Sequence, residues 1–416
     1  MIRYILNTFF LAAIVLISAC QSSVKENFKA GTWRATLKTA VGAEIPFNFE
    51  VVDSADQKLI YIINGAERFK VNEITLTDDS VLIQMPLFDS EIHAAIKGKN
   101  LSGRWVKHLA DSNVTMSFQA SPDASWRFFN TQVDTKLDVN GRWSTTFLGK
   151  DKKDTTLAIG EFKQNGTKLS GTFLTTTGDY RFLEGTVSND KLYLSCFDGS
   201  NAYLFTGKII NDSTIVDGTF YSGLSSVESW SARKDDQAIL PDAYSLTALK
   251  PGYDKIDFSF PDLEGKKVSL SDPKFENKVV IIQFFGSWCP NCMDETAYLA
   301  PFYKKYKDRG VEVVGLAYER TTDFERSKKN VERMKNRFDV TYDMLITGYT
   351  KDKEEVAKSL PMLTKFVAFP TTVILDKAGK VRKIHTGFNG PGTGEHYTKF
   401  VKEFEENIDG LLEENI

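Results

Sequence analysis

Val279-Val280-Ile281-Ile282-Gln283-Phe284-Phe285 runs directly into Gly286-Ser287-Trp288-Cys289-Pro290-Asn291-Cys292, and the rest of the chain is read outward from this junction. Seven residues that are β-branched or aromatic but for one glutamine predict a buried strand. The cysteines then fall at i and i+3 on the first turn of a helix, close enough to join in a small disulfide ring and reopen. The first sulfur lies among unpaired N–H groups at the positive end of the helix dipole, which favours its thiolate. A Cys-x-x-Cys in that setting has its first pKa lowered to roughly 3.5–7.5. Cys289 is thus read as the attacking thiol and Cys292, one turn deeper, as the resolving one. Pro290 suits the first helical position, where its missing N–H is no loss and its φ is already helical. The alternative readings are an inert disulfide and half of a zinc site. Zinc asks for four ligands, and the chain has four histidines (His93, His108, His385, His396) and no second cysteine pair, so no metal is expected.

The 416 residues predict two or three domains with ample core. With 52 Lys and Arg against 55 Asp and Glu and no basic block, nucleic acid is not an expected partner. Arg3 makes a short positive n-region, and Tyr4 to Ala19 an apolar stretch too short to span a bilayer comfortably. It ends Leu16-Ile17-Ser18-Ala19-Cys20, which resembles a bacterial lipobox, in which cleavage before the cysteine is followed by its acylation. An ordinary secretory signal with a chance cysteine is the alternative. Several acyl chains anchor stably where one is marginal. Cys196, in the strand-like run Leu192-Tyr193-Leu194-Ser195-Cys196-Phe197, is read as a small buried hydrophobe. An exported, tethered protein sits in an oxidising compartment, so a partner must set the redox state of its working dithiol. No cofactor is called for.

From Gly31 to Asp236 the chain runs in short alternating segments separated by Gly, Asn, Asp and Ser, which predicts an all-β region. The region repeats itself. Gly31-Thr32-Trp33 recurs as Gly141-Arg142-Trp143, and Gly65 with Arg68-Phe69 as Gly178 with Arg181-Phe182. Phe88-Asp89 before Gly98 recurs as Phe197-Asp198 before Gly207. Leu101-Ser102-Gly103-Arg104-Trp105 is echoed by Val216-Asp217-Gly218-Thr219-Phe220, and Phe118-Gln119-Ala120 by Trp230-Ser231-Ala232. One consistent order implies a duplicated module, each copy a small barrel or sandwich. The modules are read as a spacer or a partner-docking unit, with capture of a small apolar ligand as the alternative. The division expected is a signal peptide (1–20), a tether (21–30), β modules at 31–122 and 123–236, a linker (237–252) and an α/β domain (253–416). In the last, Leu299, Phe302, Tyr303 and Tyr306 give one buried helix face, Pro301 a kink and Gly310 a stop. Further helices are expected near 323–338, 353–360 and 396–411, with strands at 311–316, 342–346, 371–375 and 381–384.

This last segment resembles the thioredoxin-fold family of membrane-tethered thiol-disulfide oxidoreductases, the TlpA- and ResA-like proteins. Three motifs carry the resemblance: Phe258-Ser259-Phe260-Pro261-Asp262-Leu263-Glu264-Gly265-Lys266-Lys267-Val268-Ser269-Leu270, the Phe284-to-Cys292 turn, and Phe369-Pro370-Thr371-Thr372. The resemblance implies a cis peptide before Pro370, leaving the Phe369 backbone free to pair with substrate beside Cys289. Trp288 is expected to wall the sulfurs, with core packing as its alternative role. Where thioredoxin has a buried aspartate, this chain has Gln283, which cannot ionise. Glu319, at the position of an acidic residue in ResA-like members, is the expected proton acceptor for Cys292, or else a surface carboxylate paired with Arg320.

The expectation is a lipid-anchored enzyme of the bacterial envelope, outside the cytoplasm. It would exchange disulfides with protein substrates, more as reductase than oxidant, fed by an upstream membrane or extracytoplasmic thiol donor. A redoxin-type thiol peroxidase is the rival enzyme. Those carry a threonine three residues before the reactive cysteine, where this chain has Gly286.

Overall fold

The computed structural model describes residues 28–414 apart from 56, 132, 152 and 153, so Cys20 and its lipobox lie outside the described residues. All element counts below refer to the described residues.

The first module is an antiparallel meander of β1 (Gly31–Lys38), β2 (Glu44–Ser54), β3 (Gln57–Asn64), β4 (Glu67–Val71), β5 (Glu73–Leu76), β6 (Ser80–Gln84), β7 (Ser90–Lys97), β8 (Asn100–His108) and β9 (Asn113–Pro122). Its sheet runs β4-β3-β2-β1-β9-β8-β7-β6-β5. Period-two alternation sets the inner face: on β1, Trp33, Ala35 and Leu37 are buried while their neighbours are not.

The second module repeats the plan with β10 (Gly141–Leu148), β11 (Thr155–Asn165), β12 (Lys168–Thr175), β13 (Gly178–Asp179), β14 (Leu183–Ser188), β15 (Lys191–Phe197), β16 (Ala202–Asn211), β17 (Thr214–Ser222) and β18 (Ser226–Lys234). Here β10 pairs with β18 and β11 with β12, closing a barrel. Phe147, Phe173, Phe205, Phe220 and Trp230 fill its axis, with Phe205 and Phe220 stacked at 4.2 Å.

The duplication is visible in register. Leu37 faces Phe118 and Gly103 faces Phe118 in the first module; Phe147 faces Trp230 and Gly218 faces Trp230 in the second. Trp33 and Trp143 are both fully buried, and each indole N–H donates to the carbonyl four residues earlier, Lys29 and Val139. One sequence pairing does not hold. Gly98 sits in the tight turn between β7 and β8, whereas Gly207 lies inside β16 beside a register shift. The second module places that turn later, because its strands carry the bulge.

The α/β domain contains a hairpin, β19 (Ser259–Pro261) and β20 (Lys267–Ser269), then β21 (Val279–Phe285), α1 (Pro290–Tyr306), β22 (Val311–Glu319), α2 (Phe324–Arg337), β23 (Asp343–Thr350), α3 (Lys353–Ser359), β24 (Thr371–Leu375), β25 (Val381–Thr386) and α4 (Glu395–Glu413). Its sheet order is β23-β22-β21-β24-β25, with β21 to β23 mutually parallel and β24 and β25 antiparallel to their neighbours. All seven residues of β21 are buried, as a central strand covered on both faces requires. α1 continues through Pro301 to Tyr306, and Gly310 ends the following turn with φ 102°. The 243–250 segment packs on this domain through Thr386 N–H to Ala243, Lys250 N–H to Met362 and a bridge between Leu249 and Leu363.

Candidate active site and its roof

The site begins where β21 stops. The Ser287 amide and hydroxyl both donate to the Glu319 carboxylate, at 2.8 and 2.7 Å, which ties the loop to the end of β22. The Trp288 indole folds back so closely that a Cβ on residue 286 would meet its Nε1 at 2.1 Å, so glycine is required there. That indole N–H donates to Tyr318 O at 2.9 Å, and the ring meets Phe369 edge-on at 5.6 Å. Trp288 is half-buried, part wall and part packing.

Cys289 is the N-cap of α1. Its Sγ accepts the Cys292 amide at 3.4 Å and lies 3.8 Å from the Phe369 carbonyl oxygen. Both cysteines are free thiols, and the Phe369–Pro370 peptide is cis. The five residues Trp288, Cys289, Cys292, Phe369 and Pro370 are therefore brought together. Cys289 is 7% exposed and Cys292 is fully enclosed. Burial, and then the adjoining Cys289, push the Cys292 thiol well above its usual range. A thiol held in that state needs a base before it can attack.

Two buried carboxyls flank it. Glu319 lies beneath the Ser287 loop, its carboxyl raised by burial against the pull of the Ser287 bonds and Arg320. Glu295, on α1, was not singled out by sequence. It accepts from Gln283 at 2.8 Å and Thr372 at 2.6 Å, and burial pushes it up to about 7. It also acts electrostatically on Cys292. The available signal was spacing: i+3 from Cys292 on a helix is the same face. Gln283 thus does not ionise but fixes the carboxyl that does. Among the described residues no group of three or more His, Cys, Asp or Glu is arranged to hold a metal.

The second barrel is not remote from this centre. Its loops rest on the motif: the Arg181 guanidinium donates to Pro290 O at 3.4 Å, the Ser200 hydroxyl to Trp288 O at 3.3 Å, and Asn291 Nδ2 to Asp179 O at 3.3 Å. Asn291 also reaches Phe388 O at 3.1 Å. At Gly178, with φ 134°, a Cβ would come within 2.2 Å of the Asn291 amide, so only glycine lets the barrel approach. Arg181 is buried and pairs with Glu67 of the first barrel, Asp198 of the second and Asp294 of α1. Phe197 carries the contact onward, packing on Phe47 at 4.4 Å and Trp105 at 5.5 Å inside the first barrel. One apolar cluster consequently joins the first barrel's interior to Cys289, Cys292 and Met293.

Residues 251–384 match the AhpC/TSA family. The thiol-disulfide oxidoreductase ResA of Geobacillus thermodenitrificans is 34% identical over 141 residues, which is 34% of this chain and 72% of that protein. The thioredoxin-like protein YneN of Bacillus subtilis is 30% identical over 161 residues, 39% of this chain and 80% of its own length. Among solved structures, a thiol:disulfide interchange protein of Chlorobium tepidum aligns over 40% of this chain and 99% of its own, with 20% identity and a TM-score of 0.30. The thioredoxin domain of a Bacteroides vulgatus thiol-disulfide oxidoreductase aligns over 37% and 99%, with 26% identity and a TM-score of 0.28.

Proposed function

Given that this chain belongs, through its C-terminal domain, to the ResA-type thiol-disulfide oxidoreductases, we propose that it reduces protein disulfides through Cys289 and Cys292 while lipid-anchored at Cys20 outside the cytoplasm. The observation that carries this reading is the pair of free thiols at the head of α1, with Cys289 Sγ beside the Phe369 carbonyl and Cys292 enclosed behind it.

In the cycle, the Cys289 thiolate attacks one sulfur of the substrate disulfide, and the other leaves as a thiolate that takes up a proton. Glu295 accepts the Cys292 proton, and the new thiolate attacks Cys289 Sγ. The substrate's second thiol departs, and two electrons have passed to it. The resulting Cys289–Cys292 disulfide is reopened by an upstream thiol donor. Glu319 holds the Ser287 loop and is the second candidate acceptor. A resolving thiol whose ionised form is disfavoured makes the dithiol a stronger reductant, since oxidants of this class stabilise their reduced thiolates. Trp288, Pro290 and Asn291 shape and tune the nucleophile, and Phe369 with Pro370 receives the substrate strand. The lipobox sequence ending at Cys20 supports the anchor, and no helix of the described residues is long and apolar enough to cross a membrane.

The test is insulin-disulfide reduction by protein lacking its first twenty residues. Activity that vanishes in Cys289→Ser supports the reading; activity that survives overturns it. The match to the AhpC/TSA family favours one second reading, peroxide reduction at Cys289, against which Gly286 stands in place of threonine. A peroxide-consumption assay separates the two.

A further inference from the structure

The dithiol is approached past Trp288, and the recess beside that ring is walled jointly by the first barrel and the α/β domain. Its charge is one-sided. The Arg320 guanidinium and the Lys351 ammonium lie 5.7 and 5.9 Å from the Trp288 ring centroid. Arg326 and Arg333 of α2 line the same recess. Lys107 of β8 reaches the Ser200 hydroxyl at 3.2 Å, the group that bonds Trp288 O. Against these five cations stand Asp89 and Glu319. Asp89 sits 3.5 Å from Arg326 and 3.8 Å from Arg333, looser than a hydrogen-bonded pair, and the Glu319 carboxylate is committed to Ser287. The excess is positive in a chain whose net charge is −3. A narrow cleft with apolar walls concentrates such a field and draws ligands of opposite sign.

We infer that this recess is the docking surface for acidic, extended peptide segments that carry the target disulfide. Carboxylates flanking the cystine seat on Arg320, Arg333 and Lys351 while the disulfide meets Cys289. The inference deepens the reductase function proposed above and rests on it. Electrostatic complementarity of this kind sets specificity and encounter rate, and it is screened by salt.

The experiment uses the full chain in detergent and two synthetic peptides with the same internal disulfide, one flanked by glutamates and one by lysines. At low ionic strength kcat/KM is expected to favour the acidic peptide by at least about tenfold, narrowing to within about twofold at roughly 0.5 M salt. In Arg333→Gln with Lys351→Gln, the preference is expected to fall to under about threefold. Equal rates for the two peptides at low salt, or a preference that survives both substitutions and salt, overturn the inference and leave the reductase function standing. Reduction of neither peptide overturns both.

Discussion

Replacing Glu295 by glutamine separates the proton acceptor from the scaffold. The carboxyl accepts from Gln283 and Thr372, and an amide of the same shape can keep one acceptor and turn its NH2 toward the threonine hydroxyl. What disappears is the titration. Burial raises this group from 4.5 to about 7, and at 1.36 kcal/mol per pKa step that rise corresponds to about 3 kcal/mol. Between the two values the folded protein binds a proton that the unfolded chain has released. Stability therefore falls as pH climbs from 4.5 through about 7, and is level above it. Glu295→Gln should match the wild type in urea melts near pH 4.5 and exceed it by up to about 3 kcal/mol at pH 8. The same substitution should slow release of the mixed disulfide at pH 7 by at least about a hundredfold, the usual worth of a positioned base. The opposite signs on stability and turnover identify an acceptor rather than a prop. Identical pH dependence of melting and of turnover in the two proteins would refute the assignment.

Three further outcomes follow from named contacts. Cys292→Ser should stall the cycle with substrate bound covalently to Cys289, seen as an adduct by non-reducing electrophoresis and mass spectrometry; an unstalled cycle would remove Cys292 from the resolving role. Arg181→Met should leave the carboxylates of Glu67, Asp198 and Asp294 facing one another, destabilising the chain by about 3–5 kcal/mol. It should also quicken iodoacetamide alkylation of Cys289, now 7% exposed; an unchanged alkylation rate would mean the barrels do not shield the thiol. Trp143→Ala, at a fully buried indole bonded to Val139 O, should cost about 3–5 kcal/mol in urea melts, and a loss under about 1 kcal/mol would deny that this ring closes the barrel.

What the sequence conveyed and what it withheld divide along physical lines. β21 and the turn after it were legible because a fully buried strand and an i, i+3 thiol pair are local patterns. The duplicated β modules were legible because the Gly-x-Trp opening and the strand-facing pairs recur in order. The roof over the dithiol was not, since it rests on single contacts such as Arg181 with Asp294, 113 residues apart, that leave no periodic trace. Arg68 and Arg181 occupy matching places in the repeat. Yet Arg68 pairs at the surface with Glu50 and Tyr61, while Arg181 lies buried where three domains meet. Burial of a charge is decided by what docks on it, which residue type alone does not say. Glu295 was hidden for a related reason. A carboxylate on a charged helix reads as solvated until Gln283 and Thr372 are seen to enclose it.

The central claim is that Cys289 and Cys292 form one two-electron couple poised to give electrons away. Equilibrating the protein in glutathione buffers of graded potential, and counting free thiols by mass spectrometry at each, tests it directly. The account predicts a single transition between the dithiol and an intramolecular Cys289–Cys292 disulfide, at a potential below about −200 mV. A couple near about −120 mV, or no internal disulfide at any potential, would contradict it.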